Sequence, residues 1–486
     1  MPRAIQDSTG QIGFIFLSIL EAMKNNLSLR NLLFYLIFLV GSSAFAQQDK
    51  PNIIFILTDD QRWDALGFSG NEIIQTPEMD KLAEEGIYFK NAFVTTPICA
   101  ASRASILTGL YERTHGYTFG EELDESYAQN SYPNQLRRLG YETAFFGKFG
   151  VNYPGFSELF DAGDNYDRNG KFDERRGYFY KTIDGDTVHL TKYTSHQAQE
   201  FIKAQAAGKP FMLSLSFSAP HAHDPAEDQY FWSEDVDHLY EDVTFPKPLL
   251  AKQKYFDQQP DYVRKGENRT RWHWRYDTPE KYQKSMKGYY RMISEVDLEI
   301  GKIRKTLAEK GMAENTVIIF MGDNGYFQGE RQLAGKWLMY DNSLRVPMII
   351  YDPRNPGHRT ITDLALNIDI APTILSFAHG TAPDIWQGIS LADYVTGENP
   401  AIDRTAFVAE HLWKVAIIPA SEGIRTKDWK YFRYQDNPEH EELYNLLKDP
   451  LEKKNLAGNP KYQKILNEMR NRFVEKSRRL FENRSK

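Results

Sequence analysis

Residues 52–60 read NIIFILTDD, and this stretch decides the fold class. Its first seven residues are almost all apolar and lack the alternation of a half-exposed strand, which is typical of a strand buried on both faces of a parallel sheet. Further apolar runs of this kind lie at residues 142–146, 211–217, 316–321 and 347–351. We therefore predict five buried strands in the interior of one sheet.

Helical segments separate these strands. Thr76 and Pro77 are typical of the start of a helix, and Gly86 is typical of its end. Between Tyr289 and Leu307, apolar residues recur at helical spacing, so one face of that helix should cover the sheet. This alternation predicts an α/β fold with a large mixed, mostly parallel sheet between helices. Ligands of such folds bind at the carboxyl ends of the strands.

The pattern changes twice along the chain. Residues 222–285 are rich in Pro, Asp, Tyr and Trp and have little periodicity, which indicates a long insertion over one face of the sheet. Later segments are shorter, with a strand predicted at residues 429–434 and a charged helix at about 460–481. The prediction is an α/β domain over residues 47–375, followed by a smaller α+β subdomain over residues 376–486.

The amino-terminal region has the pattern of a targeting segment. Residues 32–40 (LLFYLIFLV) follow basic side chains and precede the sequence AFA at residues 44–46. We predict a secretory signal peptide over residues 1–46, of which residues 1–22 are an over-extended start, and an exported protein that is periplasmic or secreted in a bacterium. The apolar run is short for a bilayer span, so no membrane span is expected after cleavage. The alternative is an anchor retained in the mature protein.

Composition excludes several classes of partner and site. The 486 residues include 59 Lys or Arg and 66 Asp or Glu, a formal charge of −7, so nucleic acid is not expected as a partner. Cys99 is the one cysteine, so neither an intramolecular disulfide nor a zinc site of several thiolates can form. Because disulfides are permitted in exported proteins, a lone cysteine there indicates another purpose.

Two acidic pairs follow predicted strands directly. Asp59 and Asp60 follow the first strand, and Asp323 and Asn324 follow the strand at residues 316–321. If these pairs converge, their oxygen ligands suit a hard cation, Ca²⁺ or Mg²⁺, better than zinc. For either pair alone, a solvated loop or a helix cap is the alternative.

The sequence around the lone cysteine has the features of an anion site. It reads CAASRASILTG from Cys99 to Gly109. Residues 102–108 are predicted to be a helix that Gly109 ends, so Cys99 is expected just before an amino terminus whose free N–H groups favour an anion. Arg103 adds a fixed cation with planar donors. The alternative is that Cys99 is a small buried apolar residue.

This motif resembles the signature of the type I sulfatases, C-x-[PA]-S-R-x-x-x-L-T-G, a family of the alkaline-phosphatase superfamily. Ala101 stands where most members have proline. The resemblance extends over nearly the whole mature chain. Within the family, the chain is similar to the bacterial polysaccharide sulfatases. Further matching segments are residues 52–60, 76–82, 140–148 (GYETAFFGK), 219–221 (APH), 322–325 (GDNG), 335–337 (GKW), 367–375 and 442–455.

The resemblance implies both a modification and a metal. In the family, a formylglycine-generating maturation enzyme oxidises the cysteine, here Cys99, to 3-oxoalanine (formylglycine). The hydrated aldehyde attacks sulfur with one hydroxyl, and the second hydroxyl then allows sulfate to leave. The ligands carried over for a divalent cation, Ca²⁺ with Mg²⁺ as the alternative, are Asp59, Asp60, Asp323, Asn324 and the modified Cys99.

The resemblance also implies roles for four other side chains. Arg103 is expected to orient modified Cys99, Lys148 and Lys336 to hold sulfate oxygens, and His221, with Lys336, to donate a proton to the leaving oxygen. For the lysines the alternative is a solvated surface position, and for His221 it is a hydrogen-bonded core histidine.

One family position differs. The family has histidine two residues after the lysine of its GK-x-H motif, where this chain has Gly150. His223 or a water could take the place of the missing imidazole. Two alternatives to a sulfatase therefore stay open: a phosphomonoester or phosphonate hydrolase of the same superfamily, and a non-catalytic relative that binds glycans.

The predicted insertion contains candidate substrate-binding residues. Arg271, Trp272, Trp274 and Arg275 interleave basic and aromatic side chains, which can bind anionic groups and stack on sugar rings. With His223, they are predicted to bind a sulfated carbohydrate, either an algal polysaccharide such as ulvan or carrageenan or a glycosaminoglycan oligosaccharide. The alternative is an aromatic-rich packing segment.

Overall fold

Eight strands form the central sheet, and the five predicted strands occupy its middle. In chain order they are β1 (Asn52–Thr58), β2 (Ile87–Phe89), β3 (Glu142–Gly147), β4 (Ala162–Asn165), β5 (Phe211–Phe217), β6 (Thr316–Gly322), β7 (Met348–Tyr351) and β8 (Arg359–Ile361). Their order across the sheet is β8-β2-β7-β6-β1-β5-β3-β4. The predicted strands β7, β6, β1, β5 and β3 are therefore neighbours, and the short outer strands are those that the apolar pattern did not predict.

This structure, a computed structural model, describes residues 50–206, 208–397 and 404–482. The predicted signal peptide, residues 1–46, lies outside the described residues. No helix within those three ranges has the length and apolar character that crossing a membrane requires.

The strand register places the ends of three central strands at one edge. β1 pairs in parallel with both β5 and β6, so that Thr58 lies opposite Phe217 on one side and Gly322 on the other. β7 runs antiparallel to β6, which makes the sheet mixed but mostly parallel, as predicted. Residues that follow β1 and β6 therefore leave the sheet side by side.

Seven longer helices cover this sheet and the carboxy-terminal region. They are α1 (Pro77–Glu85), α2 (Cys99–Thr108), α3 (Leu190–Ala204), α4 (Glu267–Arg275), α5 (Pro279–Glu309), α6 (Ile370–Phe377) and α7 (Gln463–Glu482). Shorter helices are Glu112–His115, Glu125–Gln129, Tyr132–Arg138, Phe156–Leu159, Gln253–Asp257, Asp261–Arg264, Asp341–Leu344 and Ala392–Thr396.

Alternate residues of β1 face opposite helical layers. Ile54 and Ile56 belong to the apolar cluster that contains Ile293 of α5, whereas Ile53 and Phe55 belong to the cluster on the other face. The continuous apolar run of β1 thus reflects burial on both faces, the physical reason for the prediction.

A four-stranded antiparallel sheet forms most of the carboxy-terminal region. Its strands are β9 (Ala406–His411), β10 (Ser421–Thr426), β11 (Trp429–Tyr434) and β12 (Asn437–Asn445), and α7 packs against three of them. This confirms the predicted α+β subdomain, whereas the boundary at residues 375 and 376 stays a prediction.

The predicted insertion at residues 222–285 is more regular than its composition suggested. It contains two short helices and α4, and the long helix α5 begins at Pro279, inside the predicted insertion. The error has a physical reason: α4 has the sequence ENRTRWHWR, whose charged and aromatic residues conceal its helical period.

His411 of β9 provides a test of stability against pH. It is fully buried, and neither ring nitrogen has a hydrogen-bond partner among the described residues. Burial lowers its pKa to about 3. An unfolded histidine binds a proton near pH 6.5, so this group stabilises the folded state above that pH, and the contribution is lost as the pH falls.

When the pH falls from 7.5 to 5, we expect His411 alone to lower the free energy of unfolding of the native protein by about 2 kcal/mol. In His411→Leu, which cannot take up this proton, the free energy of unfolding should fall by that much less over the same interval. Urea unfolding at the two pH values measures the difference. An equal fall in both proteins would show that His411 is not the buried neutral group described.

Candidate active site at the carboxyl edge of the sheet

The two acidic pairs meet at the edge formed by β1 and β6. The backbone N–H of Asp60 donates to Asp323 Oδ1 at 3.0 Å, and Asn324 Nδ2 donates to Asp60 Oδ1 at 2.6 Å. Asp59, Asp60, Asp323 and Asn324 are all buried. The structure therefore brings together four residues that the sequence analysis selected from segments some 260 positions apart.

This acidic cluster has acceptor atoms that no described residue satisfies. Asp59 Oδ1, Asp60 Oδ2 and Asn324 Oδ1 are buried and lack hydrogen-bond donors within the described ranges. One ligand atom each of Asp59, Asp60 and His221 lies within 4.8 Å of the others. Burial and the nearby Asp59 carboxylate raise the pKa of Asp323 above its usual value. Crowded carboxylates with free oxygens fit a hard divalent cation.

Three cations face these carboxylates. The Nζ atoms of Lys148 and Lys336 lie 2.5 Å from Asp59 Oδ2 and Asp60 Oδ1, respectively, and Arg103 Nε donates to Asp323 Oδ2 at 2.9 Å. Burial alone would lower the pKa of both lysines, but Asp167 and Asp59 raise that of Lys148, and Asp60 raises that of Lys336. Both lysines therefore stay charged at neutral pH, as ligands of an anion must.

Cys99 lies at the amino end of α2, next to the cations. It is the first residue of the helix rather than the residue before it, a small correction to the prediction, and it is 7% exposed. Burial lowers the pKa of Arg103, Lys148 and Lys336, whereas the nearby carboxylates raise it. The Cys99 side chain is close enough to all three cations to contribute to these shifts. The first turn of α2 has free N–H groups and the positive end of the helix dipole.

His221 lies against the acidic cluster and a further cation. Its Nε2 is 3.5 Å from Asp60 Oδ2, and its Nδ1 is 2.5 Å from Arg168 Nη1. Burial, followed by Arg168, Lys336 and Lys148, lowers the pKa of His221 well below its usual value. The imidazole is therefore neutral in this environment.

The sequence analysis missed Asp167 and Arg168. Asp167 lies 3.3 Å from Lys148 Nζ and accepts a hydrogen bond from Ser218 Oγ at 2.8 Å, so it links the lysine to the loop before His221. The two residues follow β4, whose alternating half-exposed residues AGDN did not predict a strand. The signal for them is their position after the carboxyl end of a strand, the same position that identified the two acidic pairs.

Gly150, where the family motif has histidine, packs against Arg103. Its φ is +69°, and a Cβ atom there would lie 2.8 Å from Arg103 Cδ. The left-handed conformation and this close approach leave no room for a side chain with Arg103 in place. His223 does not fill the gap: it is buried, and its Nε2 contacts the Phe172 carbonyl at 2.5 Å.

Gly150→Ala is therefore expected to displace Arg103 and to lower kcat by about tenfold, because the guanidinium loses its alignment. The matched control is Gly140→Ala, whose φ of +85° imposes similar strain but whose Cβ would meet nothing within 4 Å. Gly140→Ala should lose about 1 kcal/mol of stability through backbone strain, and Gly150→Ala should lose more, because it also displaces buried Arg103. Similar kcat values in the two variants would contradict the role of the contact with Arg103.

The structure separates the predicted substrate-binding residues. Arg271 Nη2 lies 2.8 Å from Asp224 Oδ2, and its guanidinium lies over the Trp337 ring, beside Lys336. Arg275 is a correction: it is fully buried and paired with Asp224, so it holds that carboxylate rather than a ligand. Trp272 is half-buried, whereas Trp274 is 40% exposed.

Comparisons with known proteins show which family this chain resembles over most of its length. Residues 51–381 match the family model described as Sulfatase, and residues 329–479 match the model described as N-sulphoglucosamine sulphohydrolase, C-terminal. An arylsulfatase of Clostridium perfringens is 30% identical, with 88% of this chain and 94% of the relative aligned. An N-acetylglucosamine-6-O-sulfatase of Bacteroides thetaiotaomicron is 28% identical, with 96% and 94% aligned.

A solved structure is similar over the same region. It is described as a complex with its substrate D-glucosamine-2-N,6-O-disulfate and superposes with a TM-score of 0.74 at 25% identity. The alignment covers 89% of this chain and 98% of that chain. The similarity therefore extends over almost the whole of both chains.

Proposed function

We propose that this chain, which belongs to the sulfatase family, removes sulfate from a sulfated carbohydrate. The enzyme is a sulfuric ester hydrolase. The observation that carries the proposal for its site is the position of the lone cysteine. Cys99 begins α2 beside Arg103, Lys148 and Lys336, each of which also contacts a carboxylate of the acidic cluster.

The cations would bind the sulfate group. A sulfate monoester carries one negative charge spread over its oxygens. Lys148 and Lys336 match this charge with buried ammonium groups that stay protonated at neutral pH. Arg103 Nη1 donates to the Lys148 carbonyl at 2.6 Å and to Ser216 Oγ at 2.5 Å, and Arg103 Nε donates to Asp323 Oδ2 at 2.9 Å, so the guanidinium is fixed on both sides. Such fixed donors lose little freedom when the sulfate binds.

Asp59, Asp60, Asp323 and Asn324 would hold a calcium ion, with magnesium as the alternative, because their free oxygens fit a hard cation. Cys99, as formylglycine, would supply a hydrated aldehyde as nucleophile, and the bound cation would lower the pKa of its hydroxyl group. A formylglycine-generating maturation enzyme is therefore the protein partner that we propose, and export follows from the predicted signal peptide.

Arg168 would hold the ring of His221 in place. Arg168 Nη1 lies 2.5 Å from both His221 Nδ1 and the Ala222 carbonyl, and that carbonyl lies 2.6 Å from Nδ1. These contacts fix one side of the ring, and Nε2 on the other side faces Asp60 Oδ2 at 3.5 Å. With the ring held in this way, His221 and Lys336 would stabilise the charge that develops on the leaving oxygen.

The carbohydrate part of the proposal has two supports. The relatives that align over the whole chain include one named for an N-acetylglucosamine 6-sulfate substrate and one solved with a disulfated glucosamine. In addition, Arg271 lies beside Lys336, where a sugar that carries the sulfate would emerge from the site. A glycosaminoglycan oligosaccharide and an algal polysaccharide such as ulvan or carrageenan are the two classes of candidate.

The test is release of free sulfate from defined substrates. The panel contains N-acetylglucosamine 6-sulfate, oligosaccharides of glycosaminoglycans, ulvan and carrageenan, and 4-nitrophenyl sulfate with 4-nitrophenyl phosphate and a phosphonate monoester. We expect a sulfated sugar to give the highest kcat/KM. A preference for the phosphorus esters would favour the hydrolase alternative, and no turnover by protein with modified Cys99 would favour a glycan-binding relative.

A further inference from the structure

A cavity of about 500 Å³ lies outside the proposed catalytic cluster. It is enclosed by the segment at residues 227–237 and by the adjoining ends of α4 and α5. We name it the aromatic cavity after the four rings in its lining. The four rings are those of Tyr230, Phe231, Trp232 and Trp274.

Two tryptophans give the aromatic cavity an apolar surface of fixed shape. Trp274 is 40% exposed, so part of its ring faces the open space of the cavity. Trp232 is held in place, because its Nε1 donates to Asp237 Oδ1 at 2.8 Å and Arg291 lies over its ring at 4.6 Å. Flat, immobile aromatic faces are suited to the apolar face of a pyranose ring.

The charged groups of the lining indicate a neutral ligand. The lining has three cations, Arg175, Lys281 and Lys284, of which the two lysines pair with carboxylates. Its four carboxylates are those of Glu227, Asp228, Glu234 and Asp237. This excess of negative charge disfavours a second sulfate, whereas the hydroxyl groups of an uncharged ring would find acceptors.

Two aromatic side chains in succession lie between this cavity and the catalytic cluster. The Tyr230 ring lies 6.0 Å from that of Tyr289, whose hydroxyl donates to the Asp60 carbonyl at 2.8 Å. The backbone N–H of His223 donates to the Gln229 carbonyl at 2.7 Å, which ties the cavity wall to the turn after His221. One oligosaccharide could therefore reach both places.

We propose that the aromatic cavity is a second sugar subsite, which binds an uncharged ring of the oligosaccharide whose sulfate ester lies in the catalytic cluster. Trp274 stacks on the ring, and the carboxylates of the lining accept its hydroxyl hydrogens. This inference rests on the proposed function, since it assigns part of the same substrate. It makes the enzyme selective for oligosaccharides over single sugars and small aryl esters.

The test compares chain lengths. For native protein, Trp274→Ala, Trp274→Phe and Leu447→Ala, kcat/KM is measured with size-fractionated sulfated tetrasaccharides of glycosaminoglycans and of ulvan, and with 4-nitrophenyl sulfate. We expect the ratio of the tetrasaccharide value to the aryl ester value to fall about tenfold in Trp274→Ala. It should recover in Trp274→Phe, which keeps an aromatic face, and stay at the native value in Leu447→Ala, an equally simple loss of exposed apolar surface elsewhere.

The outcomes distinguish the two proposals. If the tetrasaccharides are hydrolysed and Trp274→Ala keeps the native ratio, the second subsite is wrong and the carbohydrate function stands. If the native protein hydrolyses 4-nitrophenyl sulfate but no sulfated sugar of any length, the carbohydrate function fails, and the subsite fails with it.

Discussion

Cys99→Ala is expected to lower kcat by about 10⁴-fold or more, because it removes the atom that forms the covalent bond in the proposed reaction. Alanine suits the start of a helix and adds no volume, so α2 and the cations around it should keep their positions. Alanine also cannot be converted to formylglycine, unlike residues with a side-chain heteroatom. The measurements are kcat for the best substrate of the panel and the melting temperature.

The matched control for this variant is Ile106→Val in the same helix. Ile106 is buried in the apolar cluster beneath α2, and loss of one methyl group there should cost about 1 kcal/mol of stability without affecting kcat. If Cys99→Ala retained even a tenth of the native turnover, Cys99 would not be the nucleophile, and water activated by the acidic cluster would become the leading alternative.

Removal of the divalent cation should have the second-largest effect. Treatment with EDTA is expected to lower kcat by about 10³-fold, and Ca²⁺ should restore it, because the bound ion supplies both charge and the activation of the nucleophile. The melting temperature should fall too, since Asp59, Asp60 and Asp323 then repel one another in a buried site.

A variant of the acidic cluster links this effect to named residues. Asp60→Asn is expected to shift the Ca²⁺ reactivation curve to a concentration about 100-fold higher, because the site loses one charged ligand. Asp257→Asn, which changes an exposed carboxylate on a short helix, should leave the curve unchanged. Full activity after exhaustive chelation, or identical curves for both variants, would contradict the metal site at this edge.

The sequence predicted the part of the fold that depends on local pattern. Strands buried on both faces, such as β1 and β6, are apolar throughout, and their parallel pairing places Asp59 and Asp323 together. Edge strands are half-exposed, so β4 and the residues after it, Asp167 and Arg168, had no comparable signal. Contacts between these loops arise only when the sheet is assembled.

The roles of individual side chains were harder to predict than their presence. Arg275 was selected for its neighbours in sequence, yet helix α4 turns it into the protein interior and leaves Trp274 at the surface. Gly150 was identified as a missing histidine, and only the fold shows that Arg103 occupies the space of a side chain there. Both outcomes depend on packing between segments distant in sequence.

The central claim is that Cys99 is converted to formylglycine, so that its Cβ atom becomes an aldehyde carbon beside the acidic cluster. The mass of one peptide tests this claim most directly. Trypsin releases residues 91–103, which contain Cys99, from protein purified from its own host. We predict a peptide about 18 Da lighter than the unmodified sequence, as expected when the thiol is replaced by an aldehyde. An unmodified peptide that carries a free thiol, found in fully active enzyme, would contradict the claim.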